Sequence, residues 1–504
     1  MADYAYERLT AQDRSFLVFE GPNTHMHVGG VTIFEHAPLA TPDGGVDIER
    51  IRTYIGSRLH WIPRYRQRLA TIPIEDYPVW VDDDRLNLQY HVRHTSLPRP
   101  GDDRQLKRLT ARIMSQQLDR RRPLWEVWLV EGLQDDRFAM ILKTHHCVVD
   151  GISGVDLMSV LLRPTPETTF EEPPRWMPRP APTAAKLLRD ELLRRVATPM
   201  DVVRWARGVL QHPQRTASEL LESSWAALDI IGVGLRRPAD TPLNQPIGPY
   251  RRFDWHRLDL ADVKAVKNHL GGTVNDVILA TVTGALRHFL LRRRSDPNTL
   301  EYKAVVPVSV RSPAEFGTSG NHVSGWMLTL PIHEPDPVKR FVELRRNTDR
   351  LRHLKQGRGI EIFTQVAELA NPILTFGVGL AARMHPYNLI ITNIPGPQAP
   401  LYLLGARMLA GYPTVPLFEY QGLGVATFSY DGNLFWGINA DWDLVHDLHE
   451  FVAALAVSFK ELHTAAMRTG KPAKAVRPEP PHAGSKSGVR TASRRLADQR
   501  GMVS

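Results

Sequence analysis

The sequence predicts an α/β (α+β) protein of two domains, each a mixed sheet flanked by helices, with a site at the interface between them. Three observations predict it. Segments with strand patterning stand beside segments with helical periodicity in both halves of the chain. Seven prolines between Pro164 and Pro182 crowd a polar stretch that reads as a linker between those halves. The length of 504 residues exceeds what a single hydrophobic core normally serves.

The elements follow in order. Val46 to Leu59 has helical spacing. Trp125 to Glu131 and Arg137 to Thr144 read as paired strands around the turn Gly132-Leu133-Gln134-Asp135-Asp136, and Ile152 to Leu162 as a helix. Beyond the linker, Ala184 to His212 is a basic amphipathic helix, either lying on a membrane or docked against the two halves. Val274 to Arg293 is a strong helix with Thr273 as its N-cap. Strands are expected at Tyr302 to Val310, Val323 to Pro331 and Leu389 to Ile394. A hairpin joins Gly422 to Ser429 with Asn433 to Asn439, and a last helix runs from Val445 to Leu462. The partition is therefore 1–163, a linker with basic helices at 164–245, a second domain at 246–466, and a basic tail at 467–504.

Composition sets the outer bounds. With 42% hydrophobic and 23% charged residues the chain is globular, and one cysteine leaves no disulfide framework. Neither a signal peptide nor a transit peptide is readable at Met1-Ala2-Asp3-Tyr4, and the uncharged run Leu369 to Ala382, interrupted by Asn371 and Pro372, is short for a membrane span. The net charge is +9. From Lys471 onward eight Lys or Arg face two acids, so six of the nine net charges lie in that tail. The tail is either a tether to an anionic lipid surface or a solubilising extension. It lacks interleaved aromatic residues, so a nucleic-acid partner is not expected. The oligomeric state is not readable.

The sharpest local pattern is His145-His146-Cys147-Val148-Val149-Asp150-Gly151, directly after the apolar run Phe138 to Leu142. Adjacent side chains on a strand point to opposite faces, so one imidazole of the pair faces a given cleft. A neutral imidazole at a strand end suits general base work near pH 7. Cys147 is a rival nucleophile. His25 and His27 share a strand face if the strand includes both, but a metal site needs a third ligand that no familiar spacing supplies. No G-x-x-x-x-G-K loop and no G-x-S-x-G elbow is present.

His145-His146-x-x-x-Asp150-Gly151 resembles the HHxxxDG signature of CoA-dependent acyltransferases, which include condensation domains of peptide synthetases. Further stretches are similar to the bacterial wax ester synthase/diacylglycerol acyltransferase family. They are Leu9 to Asp13 leading to Met26-His27-Val28-Gly29-Gly30, Pro63 to Leu69, Pro123-Leu124-Trp125, Asn275 to Ala280, and Asn393 to Pro397. The resemblance spans about residues 5 to 465 and leaves the tail outside.

The resemblance implies a chloramphenicol acetyltransferase-like architecture and an activity. His146 takes the proton of an acceptor hydroxyl that attacks the thioester of acyl-CoA, without a covalent acyl-enzyme. His145 shapes the turn. Asp150 either orients His146 or forms a structural ion pair, with Arg311 as partner, and Gly151 turns the chain. Asn275 and backbone amides near Gly151 are candidate oxyanion donors. Asn275-Asp276 has either an active-site role or a helix-capping role. Pro123, Leu124 and Trp125 position a strand and line an acyl channel. No cofactor is implied beyond acyl-CoA as co-substrate. The acceptor is diacylglycerol, giving triacylglycerol, or a fatty alcohol, giving a wax ester; a catalytically idle lipid-binding homologue and an enzyme acting on a carrier-protein thioester are the other readings. The expected location is cytoplasmic, peripheral to the inner membrane or lipid droplets.

Overall fold

The computed structural model describes residues 6–148, 160–172, 175–194, 241–309, 323–353 and 387–469. Along the first half run β1 (Tyr6–Arg8), α1 (Ala11–Phe19), β2 (His27–Glu35), α2 (Ile48–Arg58), β3 (Gln67–Ile72), β4 (Tyr77–Asp82), α3 (Leu88–His91), β5 (Val92–Ser96), α4 (Asp103–Met114), β6 (Trp125–Leu133) and β7 (Arg137–His145). The second half holds β8 (Arg251–Asp259), α5 (Leu260–Leu270), α6 (Val274–Arg292), β9 (Tyr302–Ser309), β10 (Val323–Leu330) and α7 (Pro337–His353). It continues with β11 (Leu389–Pro395), β12 (Tyr402–Leu403), β13 (Ala406–Thr414), β14 (Leu423–Tyr430), β15 (Asn433–Asp441) and α8 (Leu448–Arg468).

Mixed sheets carry the fold, as the sequence predicts, and the two large ones have six strands each. The first has the order β12-β13-β2-β7-β6-β5, with β5 parallel to β6 and its other pairings antiparallel. The second has the order β10-β9-β11-β14-β15-β8, with β11 parallel to both neighbours. A small sheet, β1-β4-β3, stands beside them.

The two halves exchange chain. Strands β12 and β13 come from the second half of the sequence, yet β13 pairs with β2, Tyr412 opposite Val31. The close approach at β2 depends on glycine. A Cβ on Gly29 would fall 1.9 Å from the Leu142 carbonyl oxygen, and one on Gly30 2.5 Å from that of Tyr412. Packing seals the junction: Trp255 of β8 stacks on Tyr412 at 4.6 Å, and Phe253, Phe428 and Phe435 join the core of the first sheet. Burial of such aromatic area in one continuous cluster holds the halves together.

The second core wraps α6. Its Val277, Ile278 and Leu286 are fully buried, against Phe341 and Leu344 of α7 and Phe451 and Leu455 of α8. By length and composition α6 could cross a bilayer, but most of its surface is buried in the protein. It begins where the sequence predicts, because Thr273 accepts a hydrogen bond from the Asp276 N–H and the Asp276 carboxylate answers at the Thr273 N–H.

Two helix starts differ from expectation for local reasons. Helix α2, expected from Val46, starts at Ile48, since Asp47 caps the Arg50 N–H. The last starts at Leu448, three residues late, because Asp441 Oδ1 accepts from the N–H groups of Asp443 and Leu444 and winds that stretch into turns. Most of the helix expected at Ile152 to Leu162 lies outside the described residues, as does the Ala184 to His212 helix beyond residue 194.

Candidate active site

Strand β7 ends at His145, and residues His146–Val148 turn as a short 3-10 segment. The two histidines are pinned from both sides. The His145 N–H donates to the Leu124 carbonyl at 2.9 Å and the His146 N–H to the Met26 carbonyl at 2.7 Å. Their rings then part. His146 lies beneath Phe16 of α1, centroids 3.8 Å apart and planes 17° from parallel. Its ring stays half-buried, with Nδ1 sealed and without a hydrogen-bond partner among the described residues. Burial pushes the His146 pKa down to about 4, and the neighbouring His145 adds to the fall. The imidazole is therefore neutral at pH 7, the state a general base requires.

His145 turns into a buried network that sequence reasoning missed. Its Nδ1 accepts from the Cys147 N–H at 3.2 Å, so Nε2 carries the proton and points at Glu20 Oε1, 3.5 Å away. That oxygen also lies 3.6 Å from His27 Nε2, while Oε2 accepts from Arg120 Nη2 and Nε at 2.7 and 3.0 Å. Burial alone would raise the Glu20 pKa. The contact with His145 and the charge-assisted hydrogen bonds of Arg120 outweigh it and hold the carboxyl down at about 2. His27 is driven well below its usual value by burial and by Lys143, so it is neutral too. The sequence signal was present in part, since Glu20 closes α1 and His27 opens β2, but nothing in their spacing tied either to His145.

Cys147 is fully buried, with Sγ 2.9 Å from His145 Nδ1. Burial, then the charges of Asp13 and Glu20, lifts its thiol well above the ordinary range. A thiolate nucleophile has no support there. His25 lies before β2 rather than within it, its Nε2 donating to the Pro22 carbonyl at 3.0 Å. Among the described residues no group of three or more His, Cys, Asp and Glu side chains converges as a metal site.

Pro123, Leu124 and Trp125 are all buried at the start of β6. Leu124 supplies the carbonyl that holds His145, and Trp125 pairs with Thr144 in the strand register. The indole is clamped between His91 at 4.6 Å and Tyr65 at 5.0 Å, with Nε1 donating to the Tyr65 carbonyl. The structure thus places this motif in the packing beneath the histidine pair.

Asn275 is half-buried in the first turn of α6. Asp276 is fully buried and committed: Oδ2 accepts from Thr273 N and Oγ1 at 2.8 Å each, and Oδ1 from Thr348 Oγ1 at 2.8 Å. Arg352 Nη2 stands 3.4 Å from both oxygens. Asp150, Gly151 and Arg311 lie outside the described residues. The histidine pair sits where the halves meet, since α1 carries Phe16 over His146 and Phe19 against Phe418 of the second half.

Comparison with known proteins agrees with this arrangement. Residues 9–278 match the wax ester synthase/diacylglycerol acyltransferase catalytic domain, and residues 319–463 match the WS/DGAT C-terminal domain. The protein named probable diacylglycerol O-acyltransferase tgs1 of Mycobacterium tuberculosis is 33% identical over 455 residues, 87% of this chain and 92% of that protein. The one named tgs2 from the same organism is 33% identical over 468 residues, covering 90% and 98%. Among solved structures, the wax ester synthase/diacylglycerol acyltransferase of Marinobacter aquaeolei VT8 superposes with a TM-score of 0.64 at 26% identity, over 91% of this chain and all of that one. The starter condensation domain of rhizomide synthetase shares the fold, with a TM-score of 0.54 at 10% identity over 93% and 96%. With its family domains matched in order across both halves, this chain is an acyltransferase that belongs to the wax ester synthase/diacylglycerol acyltransferase family.

Proposed function

We propose that the chain transfers a long-chain acyl group from acyl-CoA to the hydroxyl of diacylglycerol, releasing triacylglycerol and free CoA, with His146 as general base. The observation that carries this reading is the neutral, half-buried His146 ring at the strand end, stacked beneath Phe16 with Nδ1 sealed. The acceptor hydroxyl gives its proton to Nε2 while its oxygen bonds to the thioester carbon. The tetrahedral intermediate then collapses with loss of the C–S bond, and the CoA sulfur takes the proton back from His146. A thioester is already activated, so orientation of the two substrates beside a base in a dry site supplies much of the acceleration. No protein nucleophile, metal or further cofactor enters this scheme.

Asn275 and backbone amides near Gly151 are proposed as oxyanion donors, and an Asp150–Arg311 ion pair as a tie between the halves. Likeness to the mycobacterial diacylglycerol acyltransferases favours diacylglycerol over a fatty alcohol. Contact with a lipid surface is proposed through the small sheet and the helix at 184–194. Leu187 of that helix packs on Ile72, Val79 and Val81, while Leu192, Leu193 and Ile74 remain 58%, 62% and 92% exposed. Apolar side chains left in water beside basic ones suit the interface of a cytoplasmic membrane leaflet or a lipid droplet.

The test supplies purified protein with labelled palmitoyl-CoA and either diacylglycerol or hexadecanol, and separates neutral lipids by thin-layer chromatography. Labelled triacylglycerol is the expected product. Wax ester alone would overturn the choice of acceptor, and no neutral lipid from either acceptor would overturn the activity.

A further inference from the structure

A cleft of about 1070 Å³ opens between α4 and β8, away from the histidine pair, and its walls are cationic. Arg104, Lys107, Arg108 and Arg112 line it from α4, and Arg251 and Arg252 from the start of β8. Three of these six cations are occupied. Lys107 pairs with Asp254 at 2.5 Å, Arg251 is buried and lies 3.8 Å from Asp441, and Arg252 donates to the Trp442 carbonyl at 2.9 Å.

Arg104, Arg108 and Arg112 are different. All three are exposed, and none has an acid within ion-pair distance among the described residues. Their i, i+4, i+8 spacing stacks them on one face of the helix, where like charges repel and weaken it. The acid lining the cleft, Asp254, is already neutralised by Lys107. A row of unpaired guanidinium groups over a concave cavity is complementary to a compact ligand with several phosphates, which such groups bind with paired hydrogen bonds.

The cleft is also wired to the site. Lys143 of β7, three residues before His146, donates to the Ile113 and Gln116 carbonyls at the end of α4, at 3.2 and 3.1 Å. Arg251 donates to the Asn23 carbonyl in the loop that leads into β2. The α4 wall is therefore bonded to β7, and the β8 wall to the loop that leads into β2. Trp442, 45% exposed, has Arg252 over one side of its indole at 3.9 Å, which leaves an aromatic surface for a purine.

We infer that this cleft holds the phosphorylated nucleotide end of the acyl donor, with its phosphates on Arg104, Arg108 and Arg112 and its thioester arm running toward the end of β7. The inference rests on the acyl-CoA reading above. A flat anionic membrane, the other source of clustered phosphates, fits a concave cavity less well and forms an arm of the test.

The experiment uses the full chain, with wild type compared to Arg108→Ala/Arg112→Ala and to the charge-keeping Arg108→Lys/Arg112→Lys. Adenosine 3′,5′-bisphosphate is titrated by calorimetry, and kinetics are run with palmitoyl-CoA and with S-palmitoyl-pantetheine, which lacks the nucleotide. The expected result is that adenosine 3′,5′-bisphosphate binds and competes with palmitoyl-CoA. The alanine pair should lower the preference for palmitoyl-CoA over S-palmitoyl-pantetheine by about tenfold or more, mainly through KM, with the lysine pair in between. An unchanged preference, or nucleotide binding that does not depend on these arginines, overturns the inference. So does binding of phosphatidylglycerol vesicles that the alanine pair abolishes while KM for palmitoyl-CoA stays fixed. A protein that turned over neither donor would refute the acyl-CoA reading, while the calorimetry would still decide what the cleft binds.

Discussion

Arg120 closes its guanidinium on Glu20 Oε2, at 2.7 and 3.0 Å, while Glu20 Oε1 faces His145 Nε2 at 3.5 Å. One buried carboxylate thereby fixes which nitrogen of His145 is protonated, and His145 in turn holds the Cys147 N–H and the turn that presents His146. Glu20→Gln keeps the shape and removes the charge. It should lower kcat by about 10- to 100-fold through misplacement of the turn, with KM for palmitoyl-CoA little changed. The loss of charge-assisted bonds should cost about 1–3 kcal/mol of stability, read from denaturant unfolding. A variant that unfolds more easily yet keeps wild-type kcat would show that the network serves the fold alone.

The same turn separates the two residues that could carry the reaction. His146→Ala should reduce turnover by about 10²–10⁴-fold, the range for loss of a general base. Cys147→Ala should retain most activity, because the buried thiol stays protonated and the acyl donor already carries the reactive sulfur. Initial rates of labelled triacylglycerol formation on folded protein decide between them. The reverse ranking would make Cys147 the nucleophile.

Much of this was legible before the structure. The α6 start was readable because Thr273 and Asp276 form a capping box through contacts only three residues apart. The β6–β7 hairpin was readable because strand patterning and a turn rich in Gly and Asp coincide. Helix α4 had a signal that went unread: Asp102 and Gln105 form a second capping box. The crossing of β13 into the first sheet had none, because strand partners so far apart in sequence leave no local pattern and depend on packing such as Trp255 on Tyr412. The Glu20 network was hidden for the same reason, with Arg120 a hundred residues from its partner.

The Asn275-Asp276 pair can be divided by experiment. Among the described residues the bonds of the Asp276 carboxylate serve the α6 cap and its tie to α7, so Asp276→Ala leaves buried donors unmatched. The expected cost is about 2–4 kcal/mol, with loss of a cap and of a buried hydrogen bond combined. Asn275→Ala should leave the melting temperature near wild type and lower kcat, if its side chain meets the oxyanion. Equal losses of stability in both variants would assign the pair to the fold.

Acidity should separate the enzyme's activity from its stability. Burial holds His146 at about 4, so its proton-accepting form persists well below the usual histidine range. The acid limb of kcat/KM should therefore fall near pH 4 to 5, not near 6.5. Stability moves earlier. The unfolded chain protonates His25, His27, His91 and His146 at ordinary values, whereas the folded chain resists it, each pKa being depressed chiefly by burial. Between about pH 6.5 and 4 the unfolded state binds more protons, so stability present above 6.5 is lost as pH falls. Glu20, held at about 2, extends the loss below its unfolded value near 4.5. Melting temperatures from pH 8 to 4.5 should decline across a range where kcat/KM of the folded enzyme stays level. A rate that drops in step with protonation at 6.5 would show that His146 is not held neutral by its surroundings.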